Sequence, residues 1–203
     1  MSLSAARMAA PIEAGLIVIG AVGAGTAALA LAIGVAVVDE LTGHAIVPAL
    51  GLVAAGVAVT GAATITGLSV ARLKTVLRAA LIAALAADIQ KTTDTAEGLA
   101  SVLVDEITTY GTVPGTGFAA PPAGGALTGS STVEGLNVIR LAGALNDVLE
   151  GPMSAEPGVA TAGLALAISG AVVLELVTHA VVPPGLLVAP AGGGPVTGGS
   201  VIT

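Results

Sequence analysis

The 203-residue chain sets thirteen Asp and Glu against six Lys and Arg, a net charge of −7, and contains no cysteine. That balance leaves no basic footprint for nucleic acid, and the missing thiols exclude disulfides and thiolate metal sites. With 55% hydrophobic residues, 9% charged residues and a mean hydropathy of +1.01, a membrane protein has to be weighed against a packed, Ala- and Gly-rich core.

Leu3-Ser4-Ala-Ala-Arg7-Met8 opens the chain on a preferred N-cap, because a serine oxygen can accept an orphan N–H of the first helical turn. A helix is expected from Ser4 to about Gly20, weakened by Pro11 and several glycines. Gly23-Ala-Gly25 reads as a break. A second helix is expected over about 26–43, where Leu29, Ile33, Ala36, Val37 and Leu41 recur at helical spacing. Pro48 cannot continue it. The small and β-branched run Leu52 to Thr60 reads as a strand or extended arm.

Leu68-Ser69-Val-Ala-Arg72-Leu73 repeats the opening phrase. Leu73, Val76, Leu77, Ala80, Leu81, Ala84, Leu85 and Ile89 then form an apolar stripe with Lys74, Arg78 and Asp88 off it. Thr92-Thr-Asp94-Thr95 reads as a polar break, with Asp94 as the N-cap and Glu97 three residues on. The next helix is expected over about 95–110, through Leu99, Val102, Leu103, Glu106 and Ile107. Pro114, Pro121, Pro122 and the glycines around 123–129 make the following arm extended or irregular.

Leu136-Asn137-Val-Ile-Arg140-Leu141 opens the phrase a third time. A helix over 137–149 is expected to stop near Gly151-Pro152, and another to run over about 159–179. An extended tail from Val181 to Pro190 leads into the glycines of 192–199.

One frame recurs in all three stretches. Glu40-Leu-Thr-Gly-His44-Ala-Ile-Val-Pro48, Glu106-Ile-Thr-Thr-Tyr110-Gly-Thr-Val-Pro114 and Glu175-Leu-Val-Thr-His179-Ala-Val-Val-Pro183 each place a ring four residues after an acid and a proline four further on. Arg7, Arg72 and Arg140 precede the three glutamates by 33, 34 and 35 residues, and a closing Thr-Gly lies 12–14 residues after each proline. The chain therefore reads as three tandem units, 1–67, 68–135 and 136–203, each helix, helix and arm. A unit of about 67 residues is small for an independent core, so the three are expected to share one, mainly α with some β in the arms and a pseudo-threefold arrangement.

The repeat also bears on the membrane. Ala14 to Val38 holds 25 residues without a charge, more than the roughly 20 that span a bilayer, and Gly158 to Leu174 is a second candidate. Equivalent positions of the second unit, however, hold Lys74, Arg78, Asp88, Gln90 and Lys91, and those of the third hold Asn146, Asp147 and Glu150. Segments that share a fold and tolerate those charges are poor candidates to face lipid. No Trp, one Tyr and one Phe supply no aromatic belt. The N-terminal apolar run is too long for a signal-peptide core and lacks a clear cleavage site.

Glu40 with His44 and Glu175 with His179 stand at i, i+4, on one side of a helix, where they could hold a metal or act as an acid–base pair. The plainer reading is a helix C-terminus, where histidine meets the last carbonyls and the dipole. It is preferred because Tyr110 stands in the middle copy and no other histidine exists in the chain. Asp39-Glu40 and Asp105-Glu106 are neighbours that point apart on a helix. The Gly-rich stretches lack the Gly-Lys-Ser/Thr ending of a phosphate loop. No catalytic, cofactor or metal residue is assigned. Arg7, Arg72, Arg140, Glu40, Glu106, Glu175, His44, Tyr110, His179, Pro48, Pro114 and Pro183 are taken as repeat-equivalent structural positions, and for the arginines plain solvated first-turn residues are preferred to a pseudo-threefold rim.

Thr178-His179-Ala-Val-Val-Pro183-Pro184-Gly185, with the ending Val196-Thr-Gly-Gly199, resembles small structural proteins encoded among the virion genes of tailed bacteriophages. The second unit has Pro114-Gly115 and the first Pro48-Ala49-Leu50 in that place. The resemblance implies a virion-associated part and no enzyme. The expectation is a structural subunit of a tail, neck or capsid exterior, with other virion proteins or copies of itself as partners and arms that could add strands to neighbours. The alternative is a small integral membrane protein, holin-like or pore-forming, with helices near 14–38 and 158–176.

Overall fold

The computed structural model describes residues 2–18, 26–85, 89–150 and 159–203. Those residues are mainly helical, and six helices come in consecutive pairs: α1 (Ala5–Val18) with α2 (Thr26–His44), α3 (Val70–Leu85) with α4 (Ile89–Tyr110), and α5 (Val138–Glu150) with α6 (Val159–His179). Each pair is followed by an arm of short strands. The first arm holds β1 (Ile46–Pro48), β2 (Leu52–Ala55) and β3 (Ala58–Thr64). The second holds β4 (Thr112–Pro114), β5 (Phe118–Ala119), β6 (Gly125–Ala126) and β7 (Thr128–Gly129). The third holds β8 (Val188–Ala189), β9 (Gly194–Pro195) and β10 (Gly199–Val201).

The helices form because each has an apolar stripe to bury. Met8, Ile12 and Leu16 line α1, Leu73, Leu77 and Leu81 line α3, and Leu141, Leu145 and Leu149 line α5, all buried at a spacing of four. Ile33, Val37 and Leu41 of α2, Leu99, Leu103 and Ile107 of α4, and Ile168, Val172 and Leu176 of α6 face them. With Val47, Leu52, Ile65, Val113, Val133, Val182, Leu187 and Ile202 of the arms they make one core cluster. Burying one leucine fully is worth about 2 kcal/mol, so the stripes dominate where each helix lies. Each helix packs on the next, and α6 packs on α1.

One expectation changes here, at α4. The polar stretch Thr92 to Thr95 is not a break, because α4 runs through it from Ile89, and Asp94 stands inside a helix rather than capping one. Thr92 and Thr95 are buried on the stripe that continues through Ala96 and Leu99, and that burial outweighs their turn preference. Lys74 reaches Glu97 at 2.5 Å and Arg78 donates to Thr93 at 2.8 Å, which ties α3 to this part of α4. The charge-free run Ala14 to Val38 is shared between α1, which reaches Val18, and α2, which starts at Thr26. Gly20, Gly23-Ala-Gly25, Asp88 and Gly151-Pro152 lie outside the described residues.

The arms knit together in antiparallel pairs. β1 lies on β10, with Ile46 opposite Val201, and β3 lies on β4, with Thr64 opposite Thr112. Val182 bridges to Ser131. In each case the residues just past a helix pair with the preceding arm, counting the third arm as preceding the first. Each arm also returns to its own start. Ile46 and Thr66, Thr112 and Glu134, and Val181 and Thr203 each exchange two backbone hydrogen bonds of 2.8–3.0 Å.

Candidate functional site

Glu40, buried in the last turn of α2, lies at the N-terminus of α3. Its Oε1 accepts the Ser69 backbone N–H at 2.7 Å and Arg72 Nη2 at 2.7 Å, and its Oε2 accepts Arg72 Nε at 3.2 Å. The same Nη2 donates to the Gly67 carbonyl at 2.6 Å, and the Ser69 hydroxyl accepts the Arg72 backbone N–H at 3.4 Å. The carboxylate thus occupies the unsatisfied N–H end of a helix, where the dipole favours negative charge, while a planar guanidinium clamps both its oxygens.

The arrangement recurs twice. Glu106 of α4 takes the Asn137 N–H at 3.0 Å, with Arg140 Nη2 at 2.6 Å and Nε at 2.8 Å, and Arg140 reaches the Gly135 carbonyl at 3.1 Å. Asn137 Oδ1 accepts the Arg140 N–H at 3.0 Å, the place that Ser69 Oγ fills for Arg72. Glu175 of α6 takes the Ser4 N–H at 2.6 Å, with Arg7 Nη2 at 2.7 Å and Nε at 3.2 Å. Arg7 also donates to the Ser2 carbonyl. The third bracket joins residues 168 positions apart in the sequence.

The ring residue four positions on differs among the copies. His44 Nδ1 is 3.6 Å from Glu40 Oε2, and His179 Nδ1 is 3.3 Å from Glu175 Oε2. His179 Nδ1 is buried without a hydrogen-bond partner, so its approach to Glu175 is one of proximity rather than of a formed bond. In the middle copy Arg140 Cζ lies 3.6 Å from the centre of the Tyr110 ring, a cation–π stack. The bond to Glu106 raises the Arg140 pKa above its ordinary value. Burial opposes that rise, and electrostatic attraction to Glu106 and, least, to Tyr110 adds to it.

The prolines sit where the arms leave the helices. Pro48 and Pro114 end β1 and β4, opposite Gly199 and Ala62. Ser131 donates its hydroxyl to the Pro114 carbonyl at 2.6 Å, and Ser200 does the same to Pro183. Ala63, which pairs with Val113 as Ser131 pairs with Val182, has no hydroxyl for Pro48.

Open grooves of about 420 and 320 Å³ flank the first two brackets, one beside Asp39, His44 and Arg72, the other beside Asp105, Tyr110 and Arg140. Among the described residues no three His, Cys, Asp or Glu side chains cluster as metal ligands do. Both oxygens of each bracket glutamate already hold donors, so the chemistry of the arrangement is the fastening of one helix end to the next. The sequence placed the arginines and glutamates at matching positions but did not show that each glutamate takes the arginine of the following stretch. Nor did it show that the caps Ser4, Ser69 and Asn137 give their backbone N–H to the same carboxylate. Comparison with protein families, curated proteins and solved structures finds no match.

Proposed function

We propose that the chain is a non-enzymatic structural subunit of a large assembly, built of three fused helix–helix–arm units about a pseudo-threefold axis. The assembly we propose is a tailed-bacteriophage particle, at its tail, neck or capsid exterior. The observation that carries the reading is the bracket, which occurs three times and whose last copy, Glu175 to Arg7, returns to the start of the chain. Head-to-tail contacts whose rotation closes make a ring, and a chain with three such contacts would suit a threefold position.

The arms support a docking role. Residues 45–66, 111–133 and 180–203 hold no Asp, Glu, Lys or Arg. Leu50, Val57 and Leu186 of these arms are exposed. Uncharged surface with exposed large apolar side chains is what a partner protein can cover at low desolvation cost.

The test is co-sedimentation. The purified chain, soluble without detergent and helical by circular dichroism, is expected to pellet with tailed-phage particles or their isolated tails and to crosslink to particle proteins. A dispersed chain with no affinity for any particle component removes the virion reading. One observation favours the membrane alternative. α2 over Thr26–His44 and α6 over Thr161–His179 are long and apolar enough to cross a bilayer, and both flank α1 with Leu31, Val35, Leu166, Leu174 and Val177 exposed. Recovery from membranes only with detergent would decide for that reading.

A further inference from the structure

The contacts between residues 2–66 and the stretch 159–203 reproduce, without a nearby covalent link, the contacts that the chain makes between its consecutive thirds. Glu40 and Arg72 are 32 residues apart and Glu106 and Arg140 are 34 apart, whereas Glu175 and Arg7 are separated by 168. The seam also includes the packing of α1 on α6 and the pairing of β1 with β10. Its two sides are different surfaces, so it is heterologous. A heterologous contact closed within one chain can equally be met between chains.

We propose that the partner this seam fits is a second copy of the same chain, taken by exchange of a terminal third. The hinge is short. Thr66 is bonded to Ile46 on one side and Ser69 to Glu40 on the other, leaving Gly67-Leu68 between them, and Gly135-Leu136 stands between Glu134 and Asn137 in the same way. Swinging residues 2–66 about Gly67, or 137–203 about Gly135, onto a second copy restores every bracket, and in both cases the Glu175–Arg7 seam becomes intermolecular. Short hinges favour such exchange. The closed monomer wins in dilute solution, because its own terminal third is present at an effective concentration on the order of mM. Exchange is therefore expected when chains fold close together, as they would at neighbouring positions of an assembly. The inference rests on the seam and not on the virion reading, so either can fail alone.

The chain lacks cysteine, so introduced thiols report one contact cleanly. Ile46 and Val201 are directly opposite in β1 and β10, and both are about half exposed, so Ile46→Cys and Val201→Cys leave the core alone. Chains carrying one substitution each, with different tags, are unfolded, mixed, refolded over a range of concentrations and oxidised. Exchange predicts a disulfide-linked heterodimer whose share rises at least tenfold from micromolar to millimolar chain. It also predicts far less product when Leu50→Cys, at an exposed site outside the pairing, replaces Ile46→Cys. A yield that ignores concentration, equals that of the Leu50→Cys control, or is nil would overturn the proposal. The double variant Ile46→Cys/Val201→Cys, which should close within one chain at any dilution, shows that the thiols are in reach.

Discussion

Glu175 and Arg7 stand 168 residues apart and meet through a two-pronged contact of 2.7 and 3.2 Å, with the carboxylate nine-tenths or more buried and the guanidinium at the surface. Removing the acid strands Arg7 and the Ser4 N–H together. Because the guanidinium left behind stays at the surface, the cost is that of the unmade Ser4 N–H bond and of the charge lost from a helix N-terminus, about 2 kcal/mol, which in a domain of this length lowers Tm by about 6 °C. Glu40→Ala and Glu175→Ala are each expected to lose about that much by thermal denaturation. Glu175→Gln, which keeps a carbonyl for Ser4, should lose less. The two alanine variants should differ in one respect. At the chain-end seam no short link holds α1 in place, so amide exchange of α1 should accelerate in Glu175→Ala while that of α3 stays protected in Glu40→Ala. Equal protection in both variants would show that the end seam adds nothing.

Gly67 and Gly135 take positive φ values of 86° and 84°, and a Cβ on either would overlap the carbonyl oxygen of His44 or Tyr110. Left-handed backbone costs a non-glycine residue about 1–2 kcal/mol before any clash is counted. Gly67→Ala and Gly135→Ala should therefore each destabilise the protein by more than 2 kcal/mol in urea unfolding, with unchanged m-value. Gly143→Ala, where a Cβ meets nothing within 4 Å, should be neutral or slightly stabilising. A Gly67→Ala variant as stable as Gly143→Ala would refute the account of these turns.

Ser2 fills for Arg7 the place that Gly67 and Gly135 fill for Arg72 and Arg140, and Thr203 is bonded to Val181 as Thr66 is to Ile46. Thr66 and Gly67 are consecutive, so Thr203 should lie one peptide bond from Ser2. A backbone-circularised chain, lacking Met1, carrying Ser2→Gly and joining Thr203 directly to that glycine, is expected to fold and to melt several degrees higher, because closure removes freedom from the unfolded chain. A permutant opened between Gly67 and Leu68 should keep the fold. Failure of both to fold would mean that the chain ends are not in register with the internal joins.

Much of this was legible in the sequence because burial wrote it at fixed spacing. Leu73, Leu77 and Leu81, or Leu141, Leu145 and Leu149, announce a helix and its inward face without any tertiary information. The recurrence of Glu40, Glu106 and Glu175 against Arg7, Arg72 and Arg140 marked positions that had to share a role. What spacing could not give was the partner, since Glu106 is 34 residues from both the arginine before it and the one after it. α4 packs on both α3 and α5, and only the bonds of Glu106 to Arg140 and to the Asn137 N–H choose between Arg72 and Arg140. Thr92 and Thr95 misled for a related reason. Their polarity suggests a turn, whereas their position on the stripe of Leu99 and Leu103 places them inside a helix.

Tyr110 stands where the other two copies have histidine, and its ring lies against the Arg140 guanidinium at 3.6 Å. The stack and the Glu106 bond hold the same group from two sides, and the bond is the stronger of the two because it is bidentate and partly buried. Tyr110→Ala is thus expected to loosen Arg140 without releasing it. Its Nε–H should exchange faster with solvent by NMR, and the fall in Tm should be smaller than that of Glu106→Ala. Tyr110→His puts an imidazole where His44 approaches Glu40 and should be the mildest change at this position. Alkali gives a further check of sign. A pKa raised in the folded state stabilises at every pH below the unfolded arginine value and is lost only as pH climbs through the folded one, so the Arg140 contribution should be flat from neutral pH to beyond pH 10. An Nε–H exchange rate that is the same in Tyr110→Ala and the parent would show that the ring only lies near the arginine and holds nothing.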